Sequence, residues 1–442
     1  MLFVVEELLR RHKVYGRLKL VLYEEFLFAI MNFLCMGTLV SQGGMVAIMD
    51  GSASLPAGFI ERMAALGISY PPEVWAAHWD SAVAACEDER QLYFLTDVYI
   101  QEANAYFRLN DGAMSAVREA SALIRDSEEL AALTWLWKYL IYGDHRHPQA
   151  YNAADWPTPE AAMGDVAGLF RLIVAVSNLP WLIEHYRQSH IPQAVLLDTL
   201  SDIGIVMEES RARRGVWGVE PYLLGWLSNH FRGKLFRLGR LQYMPIASDR
   251  RLTVYRHAGS GQVLAFVDGM PVSPSGQALP RPGEWPQAGW EPVLQPGDWL
   301  LDVHIPRGGR LDYAQLTDSY RRATEAFPNW FPDRHFHGFI CDTWMLDPQL
   351  RELMSAASNL LRFQDDYYLF QISEDDSIFE NVFVTKPEDL RALPEATSLQ
   401  RAVKKHVLSG KRMQSAAGFL LFDDLGRNPA YYREKQGVIH LT

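Results

Sequence analysis

Residues 304–316, HIPRGGRLDYAQL, place two adjacent glycines, Gly308 and Gly309, between Arg307 and Arg310. They stand where an apolar run hands over to an amphipathic one. Leu300, Leu301, Val303 and Ile305 read as a buried strand that Pro306 ends, and the run from Leu311 reads as a helix. Glycine allows a close approach of bare backbone that a Cβ would forbid. The first N–H groups of a helix lack partners within it and carry a partial positive charge. Free amides, a helix start and flanking guanidinium groups together suit a diphosphate, so Arg307, Gly308, Gly309 and Arg310 are the candidate anion-binding residues. The competing reading is an ordinary tight turn, because the stretch spells neither a Walker nor a dinucleotide fingerprint.

The neighbouring segments hold the groups that would do chemistry. His304 is the last residue before the turn and faces a cleft if its strand ends there. In HFHGFICDTW (335–344), strand alternation puts His335, His337, Phe339, Cys341 and Thr343 on one face and Asp342 and Trp344 on the other. His337 is a candidate general base. Cys341 reads either as a nucleophile activated by His337 or His304, or as a small buried hydrophobe. The catalytic candidates are therefore His304, His337 and Cys341. Asp347 reads as a helix cap. Two basic clusters, Arg232, Lys234, Arg237 and Arg240, and Lys404, Lys405, Lys411 and Arg412, read as sites for a further phosphate or as solvated faces. His145 and His147, with no further ligand nearby, read as a polar loop.

The rest of the chain says what must position these residues. A chain of 442 residues implies two or three domains. The formal charge of −11 speaks against nucleic acid as a partner. Three dispersed cysteines, Cys35, Cys86 and Cys341, make no disulfide framework or structural zinc site, which fits a cytoplasmic protein. Residues 1–44 differ in character from the remainder: FLFAIMNFLCMGTLV (26–40) is apolar but short for a membrane span. It reads as an anchor within 18–40, as a core helix, or as sequence ahead of a true start at Met45. A membrane partner is expected only on the first of these. From about 56 to 240 the apolar spacing is helical, as in SEELAALTWLWKYLIYG. Beyond GKLFRLGRLQYMPI (233–246) strands and helices alternate. The strands include LTVYRHA, QVLAFVDGMPV, DWLLDVHIP, YYLFQI, NVFV and GFLLF; helices are expected over 311–327 and 348–361 and in TSLQRAVKKHVLSG. The Pro- and Gly-rich stretch 271–297 reads as a long loop or lid. This pattern is α+β: an all-helical N-terminal domain followed by a mixed β-sheet flanked by helices.

LDVHIPRGGRLDYAQLTDSY, FPDRHFHGFICDTWMLDPQL, SNLLRF, ATSLQRAVKKHVLSG and the join WLSNHFRGKLFRLGRLQY together resemble a bacterial acyltransferase-domain family. In that family a helical N-acyltransferase N-terminal domain precedes a GNAT-like C-terminal domain. The resemblance covers roughly residues 55–425 and implies domains at 45–230 and 231–442. It also implies an N-acyltransferase that takes acetyl-CoA or a longer acyl-CoA as cosubstrate and a small-molecule amine as acceptor. The coenzyme diphosphate would sit on Arg307, Gly308, Gly309 and Arg310. The family's usual Gln/Arg-x-x-Gly-x-Gly/Ala turn is altered here, with adjacent glycines and Asp312 following. Two other readings stand beside it: a non-catalytic acyl-CoA-binding module, and a metal enzyme using His335-x-His337 with Cys341 and His304. Barrels of the second kind lack helices such as 311–327 and 348–361, so no metal is expected.

Overall fold

The computed structural model describes residues 56, 58–143, 153, 156–219, 223–248, 251–280, 283–383 and 386–427. Pro56–Thr442 form one compact unit. The expectations for residues 1–44, for a start at Met45, and for His145 and His147 lie outside the described residues.

The first part is helical. Thr96, Asn110 and Ser127 cap successive helices by accepting from the backbone amides of Tyr99, Ala113 and Leu130. The aromatic residues that end up inside do so as a packed group: the rings of Trp75 and Trp137 lie 5.7 Å apart and those of Trp137 and Phe170 5.1 Å apart. Glu160–Gln188 is long and apolar enough to cross a membrane, but 78% of its most apolar window is buried inside the fold. Two later helices matter for the site. Gln193–Arg214 ends at Gly215, and Leu223–Phe231 leads into the first strand.

A six-stranded sheet follows, in the order β1 (Phe236–Leu238), β2 (Leu241–Ala247), β7 (Trp299–His304), β8 (Phe336–Thr343), β10 (Gln414–Leu421), β9 (Tyr368–Glu374). Its neighbours are antiparallel except β7 and β8, which run parallel. One face packs on the helix Tyr313–Trp330 and continues into the core of the helical part, with Leu301, Val303, Tyr320, Phe327, Phe339 and Cys341 all buried. The other face carries Leu300, Phe419 and Leu421 against a four-stranded sheet of β3 (Leu252–His257), β4 (Val263–Val267), β5 (Met270–Val272) and β6 (Trp290–Leu294).

Several sequence expectations change here. The 271–297 stretch is a loop only in its middle: its ends are strands β5 and β6 of the second sheet. NVFV is not a strand, because its first residues close the helix Ser377–Val382. The expected helix 348–361 is broken into Leu350–Leu353 and Asn359–Asp365, the second capped by Ser358. The helix after the glycine pair starts at Tyr313 rather than Leu311, because Asp312 takes the cap. The helix expected in TSLQRAVKKHVLSG forms as Ser398–Leu408 and opens on a capping box, with Thr397 and Gln400 each accepting from the other's amide.

Candidate active site

The strand-to-helix turn is open. Gly308 and Gly309 adopt φ of 79° and 76°, the left-handed region where other residues are strained. Its carbonyls are tied from behind: Arg240 donates from Nη1 to the Pro306 oxygen at 2.9 Å and from Nε to the Arg310 oxygen at 3.2 Å. The helix start is fixed by Asp312, whose Oδ1 accepts from the Gln315 amide at 3.0 Å. Among the described residues nothing accepts from the amides of Gly308, Gly309 or Arg310, and all three residues are exposed. They line a cleft of about 920 Å³ whose far walls include Ile205, Arg237, Gly239 and Arg240. The turn thus has two carbonyls engaged, those of Pro306 and Arg310, and three amides that bond nothing among the described residues.

The charges around it differ from expectation. Arg310 lines the cleft and makes no side-chain bond among the described residues. Arg307 turns the other way and donates to Glu209 of the helix Gln193–Arg214 at 2.9 Å, so it serves the join and not the cleft. Arg237 and Arg240, two members of the cluster at the join, line the cleft instead. Burial lowers the Arg240 guanidinium below its usual range, and neighbouring Arg237 adds to this. An entering anion would relieve that repulsion. Arg232 is structural, donating to the Ile141 carbonyl at 3.2 Å. In the second basic cluster Lys404 pairs with Glu395, Lys411 with Glu352 and Arg412 with Glu374.

His304 lies at the upper end of the sheet, on the face that carries the second sheet lower down. Gln242 is its neighbour across β2, and Arg240, two residues before Gln242, lines the cleft. Gln242 thus joins the end of β7 to the strand that follows the β1–β2 turn, whose Gly239 and Arg240 line the cleft. The His304 Nε2 stands 3.0 Å from the Asp302 carboxylate. Trp226, from the helix Leu223–Phe231, covers the ring with centroids 4.3 Å apart. The β7–β8 pairing stops at Asp302 with Ile340, although both strands continue, so Asp302, His304 and Asp342 share one side of the place where the ladder ends. Burial raises the Asp342 carboxyl above its usual range, and Asp375 and Asp302 raise it further. This end of the sheet is acidic with one imidazole.

The other predicted groups do not converge on it. β8 carries a bulge: Trp299 pairs with Phe336, but Leu300 pairs with Gly338, leaving His337 as the extra residue. Alternation resets there, so His337 and Cys341 face opposite ways. His337 bonds the Val293 carbonyl at 3.0 Å and lies 3.8 Å from Asp298, at the start of β7. The first residue of β7, Trp299, is five residues, roughly 17 Å, from His304. His335 is exposed beside it, with ring centroids 4.6 Å apart. Cys341 is fully buried and its thiol donates to the Val303 carbonyl at 3.2 Å. Burial pushes its titration well above the ordinary thiol range, and Asp302 adds to this, which withholds the thiolate a nucleophile needs. His335, His337, Cys341 and His304 therefore make no common metal site. Asp347 is buried and accepts from the amides of Gln349 and Gln414, joining two elements rather than acting as a simple cap.

Asp366 was not singled out in the sequence. It accepts from the hydroxyl of Tyr313, the first residue of the helix behind the glycine turn, at 2.8 Å. Burial raises its carboxyl to about 7, with Asp365 adding to the rise. The folded state therefore favours the protonated acid, so this stabilisation is complete below about pH 4 and lost as pH rises through 7. Three units correspond to about 4 kcal/mol. Urea unfolding of Asp366→Asn should show stability falling less between pH 4 and 8 than in the parent. Parallel curves would remove the assignment.

Sequence comparison matches residues 100–233 to the N-acyltransferase N-terminal domain and residues 235–420 to the GNAT-like C-terminal domain. No curated protein matches the sequence. Among solved structures, an acyltransferase in complex with decanoyl-CoA and teicoplanin is similar at 22% identity and a TM-score of 0.59, over 82% of this chain and 98% of that one. An acyltransferase in complex with decanoyl-CoA is similar at 23% identity and a TM-score of 0.57, over 81% and 98%. At these identities the likeness is one of fold.

Proposed function

We propose, for a chain that belongs to the acyltransferases joining an N-acyltransferase N-terminal domain to a GNAT-like C-terminal domain, that it moves an acyl group from acyl-coenzyme A to a small-molecule amine. The observation that carries this is the turn at 306–310: Arg240 engages the Pro306 and Arg310 carbonyls, while Gly308, Gly309 and Arg310 line a cleft with amides that bond nothing among the described residues. The coenzyme diphosphate fits there, with Arg310, Arg237 and Arg240 adding positive charge. The solved relatives of the same fold, one with decanoyl-CoA and teicoplanin, support a coenzyme thioester and a small-molecule acceptor.

The chemistry is attack of a neutral amine on the thioester carbonyl carbon. A C–N bond forms, the C–S bond breaks, and the coenzyme leaves as thiolate, which needs little help since thiols titrate near 8.5. The amine must lose a proton, and His304 is assigned to take it. The Asp302 carboxylate stands 3.0 Å from Nε2 with no hydrogen bond between them, Trp226 packs on the ring, and Nδ1 is assigned to accept the proton. Asp302, Asp342 and Asp375 make this end attractive to an acceptor that arrives as an ammonium ion. His337 and Cys341 have no part in the reaction. A cytoplasmic location follows from its cosubstrate.

The direct test is a thermal-shift series with coenzyme A, its 3′-dephospho form and acyl-CoAs, followed by thiol release with an amine panel. Binding at a hundred times Kd should stabilise the fold by about 2.7 kcal/mol. No shift with any coenzyme ends the reading. Shifts without thiol release would leave a binding module.

A further inference from the structure

Asp202 lies on the helix Gln193–Arg214 and is 7% exposed, where an uncompensated carboxylate is costly. Three donors surround it. Its Oδ1 accepts from Arg237 Nη1 at 2.6 Å, its Oδ2 accepts from Gln242 Nε2, and the same Oδ2 lies 3.6 Å from His230 Nε2. Each donor leads to a different part of the site. Arg237 lines the cleft. Gln242 is the cross-strand neighbour of His304. His230 sits one helical turn after Trp226, and Trp226 covers the His304 ring.

His230 is the unusual member. It is fully buried, yet neither ring nitrogen has a hydrogen-bond partner among the described residues. Leaving a buried donor or acceptor without a partner is unfavourable. A movement of less than 1 Å would bring Nε2 within bonding range of Asp202. An anion in the cleft competes with Asp202 for the Arg237 guanidinium, and His230 stands where it can replace whatever Arg237 gives up.

We infer that Asp202 and His230 are positioning residues, through which one buried carboxylate of the helical part sets both the arginine that meets the coenzyme and the end of β7 that bears His304. This rests on the proposed roles of the glycine turn and of His304. Arg237 and His230 are joined through Asp202, so their contributions to the reaction are coupled, and the coupling disappears without the carboxylate.

The experiment is a double-mutant cycle of Arg237→Gln and His230→Gln, run in the parent and in Asp202→Asn, reading kcat and KM for acyl-CoA. Arg237→Gln should raise KM about tenfold with little change in kcat, and His230→Gln should lower kcat about tenfold. Together in the parent they should depart from the product of the single effects by about threefold or more; in Asp202→Asn the effects should multiply. Independent effects in both backgrounds, or parent values of kcat and KM in Asp202→Asn, overturn the inference. A parent that neither binds nor turns over coenzyme overturns the functional reading with it, so the two failures are distinct. If Asp202→Asn does not fold, the cycle in the parent decides alone.

Discussion

Gly308→Val with Gly309→Val should weaken coenzyme binding by about 10²- to 10⁴-fold while the protein still folds. A Cβ at Gly309 meets nothing within 4 Å, and one at Gly308 meets only Ile205 side-chain atoms, at 3.6 and 3.8 Å, so the first carbon of either side chain is accommodated. The cost is conformational. Both residues hold positive φ, which a non-glycine residue occupies at roughly 1–2 kcal/mol each, and a β-branched one less readily still. The turn relaxes by rotating its peptide units, which takes the amides of Gly308, Gly309 and Arg310 out of the cleft. A hydrogen bond to a charged group contributes about 1.5–3 kcal/mol, so losing two corresponds to a 10²- to 10⁴-fold rise in Kd. Calorimetric titration with coenzyme A reads this directly, and circular dichroism checks the fold. A Kd within threefold of the parent's would mean that the diphosphate lies elsewhere.

His304→Gln should lower kcat by about 10²- to 10⁴-fold, the range for loss of a positioned general base, and leave KM for acyl-CoA nearly unchanged. The split follows from position: His304 ends β7 beside Asp302 and beneath Trp226, whereas the cleft walls are the turn and the β1–β2 hairpin. Glutamine keeps a polar side chain of similar size but cannot accept a proton at neutral pH. His337→Gln in parallel should leave turnover intact, because His337 bonds Val293 at the other end of the strand. Equal losses in the two variants, or none in His304→Gln, would remove His304 from the reaction.

The turn was legible in the sequence because its determinants are local. Pro306 ends a strand, two glycines permit positive φ, and Asp312 caps a helix; none of these needs a distant partner. His304 was legible for the same reason, as the last strand residue before the turn. The pairing of His337 with Cys341 failed because alternation assumes an unbroken ladder, and the bulge at His337 is fixed by the partner strand β7. For Cys341 the sequence left a nucleophile and a small buried hydrophobe both open, and burial between the sheet and the helix Tyr313–Trp330, which withdraws its thiolate, favours the second.

The sequence alone determined the order of the chain: a helical part, then an α+β part, with an exposed glycine turn between a buried strand and an amphipathic helix. These follow from periodicity and backbone preference, which act over a few residues. Tertiary structure decided which charges meet that turn. Arg307 and Arg310 flank the glycines symmetrically in sequence, yet Glu209, 98 residues before Arg307, draws one away, while Arg240, 66 residues before Pro306, closes the carbonyls from behind. It also brought Trp226, His230 and Asp202 to the end of β7. Ion pairs and ring contacts act over a few ångströms of space whatever the separation along the chain, so their partners are set only once the helical part and the sheet have packed together.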